Sequence, residues 1–393
     1  MSLDLESLRL IGWLLLGATV LGVAVFEGIS LGVHLILPLL CKTDQHWQAQ
    51  LAAIKPVALI NLGWFIALLL VLFAAWPISF AVALASFEPL LLIIVVSLML
   101  RLLALFFIDQ FTDPNWITYA RKALGLSGLL PTVLLGLIAG NILKGVPFHL
   151  DSDMRILFLG DVWGLFNPFA MLVVAVTVAL FAYYGALFVQ HKISGELQQT
   201  AQALSLRAGI AFIVLFALTG LWIMHLEGYH ISSDILPNAS SNPLSKFVKR
   251  GEGLWLDNYE HQPFLAALPS LAFICAIASI YLAQKSKTYW ALLCGVLSVA
   301  NVTLTFGSSL FPFLLPSNLS LNSSMTIWDS SASQINLEAL LWFTVPALLL
   351  ATIISRWLYG LFAGKIELAM NPEPLANQLQ PITVNIQSAP PES

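Results

Sequence analysis

The sequence predicts an all-α integral membrane protein with about nine transmembrane helices. Of its 393 residues, 59% are hydrophobic and only 10% are charged, and the mean hydropathy is +0.86. Soluble domains carry about 25% charged residues, so this composition excludes an ordinary cytosolic enzyme. The net charge of −4 argues against a nucleic-acid partner, which needs a basic surface. Cys41, Cys275 and Cys294 are isolated, and this pattern predicts no metal site.

Nine apolar runs are long enough to cross a bilayer. A helix needs about 20 apolar residues to span a hydrocarbon core of roughly 30 Å. The first run is longer than this, so its helix is predicted to be long or tilted. The chain meets the criterion at roughly 9–40, 57–75, 79–108, 124–143, 165–190, 208–226, 263–284, 288–312 and 337–362.

The connections between these runs predict the orientation. One set of connections holds ten Lys and Arg residues, and the other holds six, three of them in the long loop 227–262. Because short cytoplasmic loops are enriched in Lys and Arg, we expect the N-terminus outside and the C-terminus inside. Residues 1–363 then form the membrane domain, with 227–262 as an ordered outer cap. Residues 364–393 are rich in Pro, Asn, Gln and Ser, which predicts a disordered cytoplasmic tail.

The first predicted helix carries polar residues at membrane depth. Glu27, Ser30 and His34 are spaced i, i+3 and i+7, which places them on one helical face. Ionised side chains inside a membrane cost about 2.5–3.5 kcal/mol on insertion scales and commonly line a proton, ion or substrate path. The alternatives are a structural hydrogen bond to a neighbouring helix and a position near the membrane interface. In the third helix, Arg101 must pair with an anion or with carbonyl groups, as part of a site or as a structural ion pair, or else extend its charged end to the membrane interface.

The connection before the last predicted helix is rich in turn residues. Pro312 and Pro316 end the eighth helix, and Asp329 is predicted to cap the start of the ninth. This run and several shorter motifs together resemble subunit II of the cytochrome bd quinol oxidases, over nearly the whole chain apart from the tail. The segments that carry the resemblance are 6–9, 73–77, 140–148, 167–169, 220–224, 241–244 with Trp255, 311–318, 322–329 and 331–334.

The resemblance implies a fold of two four-helix bundles plus one peripheral helix. It implies a heterodimer with a subunit I that carries haem b and haem d, and it leaves room for a small accessory single-helix subunit. The complex would lie in a bacterial inner membrane and act electrogenically as a ubiquinol oxidase, reducing oxygen to water with protons taken from inside. No catalytic haem is expected on this chain, whose seven His residues lie mostly in predicted loops. Whether ubiquinone binds this chain is left open.

Two motifs depart from the family pattern. The first-helix pattern Asp-Gly-Phe-Asp-Met-Gly is replaced by residues 27–32, in which Glu27 keeps one acid and Ser30 replaces the other. In the second helix the pattern Pro-His-Trp-Asp-Gly-Asn is replaced by 56–61, in which Asn61 is retained. A proton path would therefore either run by Glu27, Ser30, Asn61 and water in this chain or belong to subunit I alone. The retained Trp64 is the candidate for contact with a quinone.

Two other functions are compatible with these residues. Val57 and Leu59 stand where the second-helix pattern has His and Asp, and the loss of these polar residues fits a non-respiratory membrane transporter that has kept the fold. The same loss also fits a purely structural scaffold that handles no protons. Purification of the chain without a haem-bearing partner would favour the transporter over the oxidase. Unchanged turnover after replacement of Glu27 would favour the structural scaffold.

Overall fold

The computed structural model describes residues 3–367. Most of these residues lie in long helices that run back and forth across the molecule. Their bounds are α1 Leu5–Gly22, a π-helical turn Val23–Glu27, α2 Gly28–Leu40, α3 Asp44–Ala75, α4 Pro77–Phe107, α5 Pro114–Lys144, α6 Pro168–Lys192, α7 Glu196–Ile223, α8 Asp257–His261, α9 Ala267–Gln284, α10 Thr288–Leu310 and α11 Gln334–Leu361. Within this range, nine helical segments are long and apolar enough to cross a membrane, the first being Leu5–Leu40. The predicted tail lies outside the described residues from position 368 onward.

Small antiparallel strand pairs form in the connections at one end of the helices. This end, here named the cap end, also holds 227–262 and the run before α11. The opposite end is named the tail end. The pairs are β1 Phe148–Leu150 with β2 Ile156–Phe158, β3 Glu227–Ile231 with β4 Val248–Glu252, and β5 Phe313–Leu315 with β6 Met325–Thr326.

The long helices form two four-membered groups. The first contains the α1–α2 segment with α3, α4 and α5, and the second contains α6, α7, α9 and α10. The last helix, α11, packs on the first group against α3 and α1. This arrangement confirms the predicted class of two four-helix bundles plus one peripheral helix.

The two bundles meet where α2 crosses α6 at a pair of glycines. A Cβ atom at Gly32 would overlap the backbone of Phe181 and Gly185, and one at Gly185 would overlap Gly32. A Cβ at Gly128 of α5 would likewise overlap the backbone of α2 at His34. Small residues allow this close approach of transmembrane helices. Close packing against α6 and against α5 therefore fixes the position of α2.

Several helices begin earlier than the apolar runs predicted. The second starts at Asp44 instead of 57, the fourth at Pro114 instead of 124, and the sixth at Glu196 instead of 208. Lys55 therefore lies within α3 and not in a connection. The hydropathy criterion detects only the part of a helix that lies in hydrocarbon. The more polar residues that precede this part continue the same helical hydrogen bonding. Each helix therefore begins earlier than the hydropathy criterion predicts.

The cap end is tied to the bundles by buried polar contacts. Arg9 of α1 is fully buried and donates to Ser331 Oγ (2.8 Å) and Ala239 O (3.0 Å). Lys246 pairs with Asp329 at 2.8 Å. Burial raises the pKa of Asp329, although Lys246 opposes this rise.

The start of α11 differs from the sequence-based expectation. The prediction that Asp329 caps the last helix was wrong, because Ser333 accepts the capping bond from the Asn336 N–H. Asp329 instead accepts from Thr326 Oγ1 at 2.6 Å and pairs with the buried lysine. Asp329 therefore stabilises the connection before α11 instead of capping the start of that helix.

Candidate functional site

A π-helical turn interrupts the first membrane-spanning segment and ends at Glu27, the first of its buried polar residues. The Gly28 N–H donates to Val23 O, five residues back, where an α-helix would use the fourth. The Tyr184 hydroxyl of α6 donates to Val25 O at 3.1 Å, inside the same turn. Such a bulge changes the direction in which the following side chains point. Glu27, the last residue of the turn, is thereby placed towards α4.

Glu27 and Arg101 form an ion pair inside the first bundle. Arg101 Nη2 donates to Glu27 Oε1, and the side chains are 0% exposed for Arg101 and 1% for Glu27. Glu27 Oε2 and the Nε and Nη1 atoms of Arg101 have no hydrogen-bond partner among residues 3–367. Two opposite charges removed from water stabilise each other strongly only if their remaining polar atoms are satisfied. The pair therefore retains free capacity to donate and accept hydrogen bonds.

Ser30 and Asn61 connect the polar face of α2 to the peripheral helix. Asn61 Nδ2 donates to Ser30 Oγ and to Tyr359 OH, each at 2.9 Å, and both Ser30 and Asn61 are fully buried. The Tyr359 hydroxyl returns a bond to Asn61 Oδ1 at 3.3 Å. Three helices, α2, α3 and α11, thus contribute to one polar network.

His34 extends the polar face of α2 towards the tail end. Its Nδ1 donates to Ser30 O at 2.6 Å, while its buried Nε2 has no partner within the described chain. One residue away, Val33 O accepts from Gln50 Nε2 at 3.3 Å, and Gln50 Oε1 accepts from Cys41 Sγ at 3.0 Å. Buried polar atoms therefore continue from Glu27 to the α2–α3 connection.

Trp64 lies at the edge of the same region, beside an apolar cavity. Its Nε1 donates to Ser355 Oγ at 3.1 Å, and its ring stacks on Phe26 with centroids 5.2 Å apart. A Cβ at Gly22 would overlap the Trp64 ring, so the indole fits into a gap in α1. The cavity has a volume of about 440 Å³ and is lined mainly by aliphatic residues, with Thr352 as a polar group.

The structure brings the predicted site residues together in pairs. Glu27 meets Arg101, and Ser30 meets Asn61, while Trp64 contacts α11 through Ser355, one turn of that helix away from Tyr359.

Several partners in the site were missed by sequence reasoning. Nothing in the sequence singled out Tyr184, Tyr359 or Ser355. Hydropathy treats a tyrosine in an apolar run as part of the run, so no local signal could reveal these contacts.

No group of three or more His, Cys, Asp or Glu side chains within residues 3–367 could hold a metal ion. The polar network is instead built from one ion pair, hydroxyls, an amide and an imidazole. These groups can donate and accept hydrogen bonds, and the carboxylate and the imidazole are ionisable. The fold and the site thus define a multi-pass helical membrane protein with a buried polar network between its helices.

The comparisons with known proteins identify the family. The sequence model of cytochrome bd terminal oxidase subunit II matches residues 8–362, and the chain belongs to this family. It is 32% identical to cytochrome bd-I ubiquinol oxidase subunit 2 of Escherichia coli K12, covering 93% of this chain and 96% of that relative. It is 30% identical to a probable cytochrome oxidase subunit 2 of Haemophilus influenzae, covering 93% and 97%.

A solved structure shows the same fold. A chain of the bd oxidase from Geobacillus thermodenitrificans superposes with a TM-score of 0.62 at 19% identity, covering 91% of this chain and 98% of the other. The chain is therefore a subunit of a bd-type quinol oxidase and a multi-pass protein of a bacterial inner membrane. A complex with a subunit I and with haem follows from the family. The comparisons give no support to the transporter alternative.

Proposed function

We propose that the chain handles protons for its oxidase complex through the buried network of Glu27, Arg101, Ser30 and Asn61. The observation that carries this proposal is the Glu27–Arg101 pair, which is removed from water but keeps unpartnered donor and acceptor atoms. A purely structural ion pair is better stabilised when every polar atom has a partner. The free carboxylate oxygen is where a proton can arrive without breaking the bond to Arg101.

Each residue has a distinct task in this proposal. Glu27 accepts and releases the proton, and Arg101 holds its carboxylate in place and compensates its negative charge. Ser30 has a hydroxyl that can donate and accept, and the Asn61 amide orients it through the bond at 2.9 Å. His34 lies two turns along the same face and has a free Nε2, which makes it the next group towards the tail end. The direction of uptake follows if the tail end lies inside and the N-terminus outside, as the basic residues predict.

The haem chemistry belongs, in this proposal, to the partner. Haem b and haem d would be carried by subunit I, which would oxidise ubiquinol and reduce oxygen to water, while this chain contributes proton delivery and shields the haem-bearing bundle from lipid. A small accessory single-helix subunit would bind at a peripheral position. If ubiquinone also binds this chain, Trp64 and Phe26 would hold its ring beside the cavity, whose aliphatic walls suit the isoprenoid chain.

Replacement of Glu27 tests the proposal. Glu27→Gln keeps the size of the side chain and its bond to Arg101 but cannot carry a proton at neutral pH. We expect quinol-driven oxygen consumption by the assembled complex to fall by about tenfold or more, because removal of one proton-transfer group typically costs at least this much. Glu196→Gln, which neutralises an exposed acid at the start of α7, is the matched control and should leave turnover unchanged.

A second variant separates chemistry from folding. Breaking a buried pair by removing one charge destabilises a protein by about 3–5 kcal/mol, whereas removing both charges is often neutral. Glu27→Gln with Arg101→Met removes both, so we expect a normal yield of haem-containing complex with the same loss of turnover. Full turnover of a well-assembled double variant would contradict proton handling and would favour a scaffold role.

A further inference from the structure

One face of α6 carries three buried side chains that contact other parts of the site. Tyr184, Phe188 and Lys192 are spaced four residues apart, which places them in one row along the helix. The helix α6 belongs to the second bundle, whereas the polar network around Glu27 lies in the first. This row, here named the α6 row, therefore brings the second bundle into contact with the network.

The first two residues of the α6 row contact the network at two places. The Tyr184 hydroxyl donates to Val25 O at 3.1 Å, inside the π-helical turn of the first segment. The Phe188 ring meets the Tyr359 ring edge-on, with the ring centroids 6.3 Å apart. Tyr359 is the residue of α11 that accepts a hydrogen bond from Asn61. The row thus contacts both the turn that directs the buried carboxylate and the tyrosine that bonds to the amide.

The third residue of the row, Lys192, holds the end of α11 at the tail end of the molecule. Its Nζ atom donates to Phe362 O, three residues beyond Tyr359 and immediately after the last residue of α11. The Ile366 N–H donates to Lys192 O at 2.8 Å, and the Ser194 N–H donates to Ile366 O at 3.1 Å. A cation beside the last carbonyls of a helix is favourable, because these carbonyls carry partial negative charge. The side chain and the backbone of Lys192 therefore both bind the chain that leaves α11.

The body of α11 gives Tyr359 little support of its own. Of the 28 residues in this helix, only Leu337 and Ser355 are buried. Ser355 accepts a hydrogen bond from Trp64 Nε1 at 3.1 Å, and Leu337 lies near the opposite end of the helix. An element with few buried contacts is held weakly along its length. The contacts at its end therefore decide where the Tyr359 hydroxyl lies relative to Asn61.

We propose that Lys192 is a positioning residue of the oxidase, which keeps the Tyr359 hydroxyl within hydrogen-bond distance of Asn61 by holding the end of α11. This inference rests on the proposed proton-handling function. Lys192 acts through Tyr359 and not on the transferred proton, so its loss misaligns the network without removing a member of it. The second bundle thereby sets the geometry of a site whose ionisable residues lie in the first.

Substitution of Lys192 tests this role. Lys192→Met keeps the length of the side chain but loses the donor to Phe362 O. We expect the turnover per haem of the assembled complex to fall by about tenfold, within the roughly hundredfold that a 1 Å misplacement can cost, and its solvent deuterium isotope effect to increase. Lys192→Arg keeps a cationic donor and should retain most of the turnover. Lys287→Met, which replaces an exposed lysine at the same end of the second bundle, is the matched control and should behave as wild type.

A double-variant cycle distinguishes positioning from a general structural role. Tyr359→Phe removes only the hydroxyl through which Lys192 is proposed to act. Adding Lys192→Met to Tyr359→Phe should then cause little further loss of turnover, because the effects of coupled residues are not additive. Independent effects, in which the two fold-losses multiply, would overturn the proposal. A Lys192→Met complex recovered in low yield, but with the turnover per haem and the isotope effect of the wild type, would also overturn it.

Glu27→Gln, measured beside the Lys192 variants, separates this inference from the proposed function. A slow Glu27→Gln complex together with a fully active Lys192→Met complex overturns the positioning role alone. Full turnover of the Glu27→Gln complex overturns proton handling by this chain, and the inference about Lys192 falls with it.

Discussion

At the scale of single residues, the site depends on a few polar atoms that are buried without a full set of partners. His34 is the clearest case, because one ring nitrogen is fixed by Ser30 O and the other has no partner within residues 3–367. A bond from Nδ1 to a carbonyl sets the tautomer in which Nε2 accepts a proton. The residue can therefore have two roles, one as a hydrogen-bond donor to α2 and one as a proton carrier.

Two substitutions of His34 distinguish these roles. His34→Asn keeps a donor near Ser30 O but cannot relay a proton, and His34→Leu loses both functions. If His34 relays protons, both variants should slow oxygen consumption by about tenfold and increase its solvent deuterium isotope effect. A structural role predicts that only the leucine variant is impaired. His191→Asn, at the end of α6 and bonded to Thr288, is the control outside the network.

Sequence reasoning identified several of these residues for a physical reason. An ionisable group in an apolar run is conspicuous, so Glu27 and Arg101 were found by depth alone. Their pairing was not found, because they are 74 positions apart and the π-helical turn changes the direction of Glu27.

At the scale of elements, the crossing of α2 and α6 holds the polar face of α2 in position. Gly32 and Gly185 permit backbone contact there, and Gly128 of α5 permits a second close approach at His34. Helix association in a membrane depends on such packing, because lipid is as apolar as the helix surface. The geometry of the polar network thus depends on these glycines, which have no polar side chain of their own.

Gly32→Ala tests this dependence. The added Cβ would overlap the α6 backbone, which cannot move aside as a flexible side chain can. We expect a loss of about 1–3 kcal/mol in stability, as for other overpacked cores, seen as a lower temperature of thermal inactivation and a lower turnover. Gly63→Ala in α3 is the matched control, because nothing lies within 4 Å of its added Cβ. That variant should be neutral or slightly more stable, since alanine favours helix. Equal behaviour of the two variants would contradict the packing argument.

The connections were harder to predict than the helices. Asp329 stands close before the last helix and has the chemistry of a cap, but Ser333 performs that task and Asp329 pairs with Lys246. A capping rule considers only the residues near the start of a helix. Lys246 lies in a loop far earlier in the chain, so this rule could not predict its pairing with Asp329. Burial of both charges then explains why the pKa of Lys246 is lowered and that of Asp329 is raised.

At the scale of the whole molecule, the number of spanning helices was predictable because hydrocarbon thickness sets the length of each. The grouping into two bundles came from the family resemblance and not from periodicity. The packing of α11 on the first bundle is a long-range result, in which Tyr359 reaches Asn61 and Ser355 reaches Trp64. Through these two contacts the peripheral helix completes the polar network, so it is part of the site and not only a boundary with lipid.

The assembled complex gives the last prediction. A tag on this chain should recover, in mild detergent, a second large membrane chain and a dithionite-reduced minus air-oxidised spectrum with a b-type signal and a far-red d-type band. The same chain produced without its partner should be folded but free of haem. Haem iron in such proteins needs axial side-chain ligands beside a cavity, and the two cavities of about 440 Å³ next to α1 have no histidine in their linings. A haem signal from the solitary folded chain would contradict the assignment of the haems to subunit I, while leaving the proton-handling role of Glu27 to be decided by turnover.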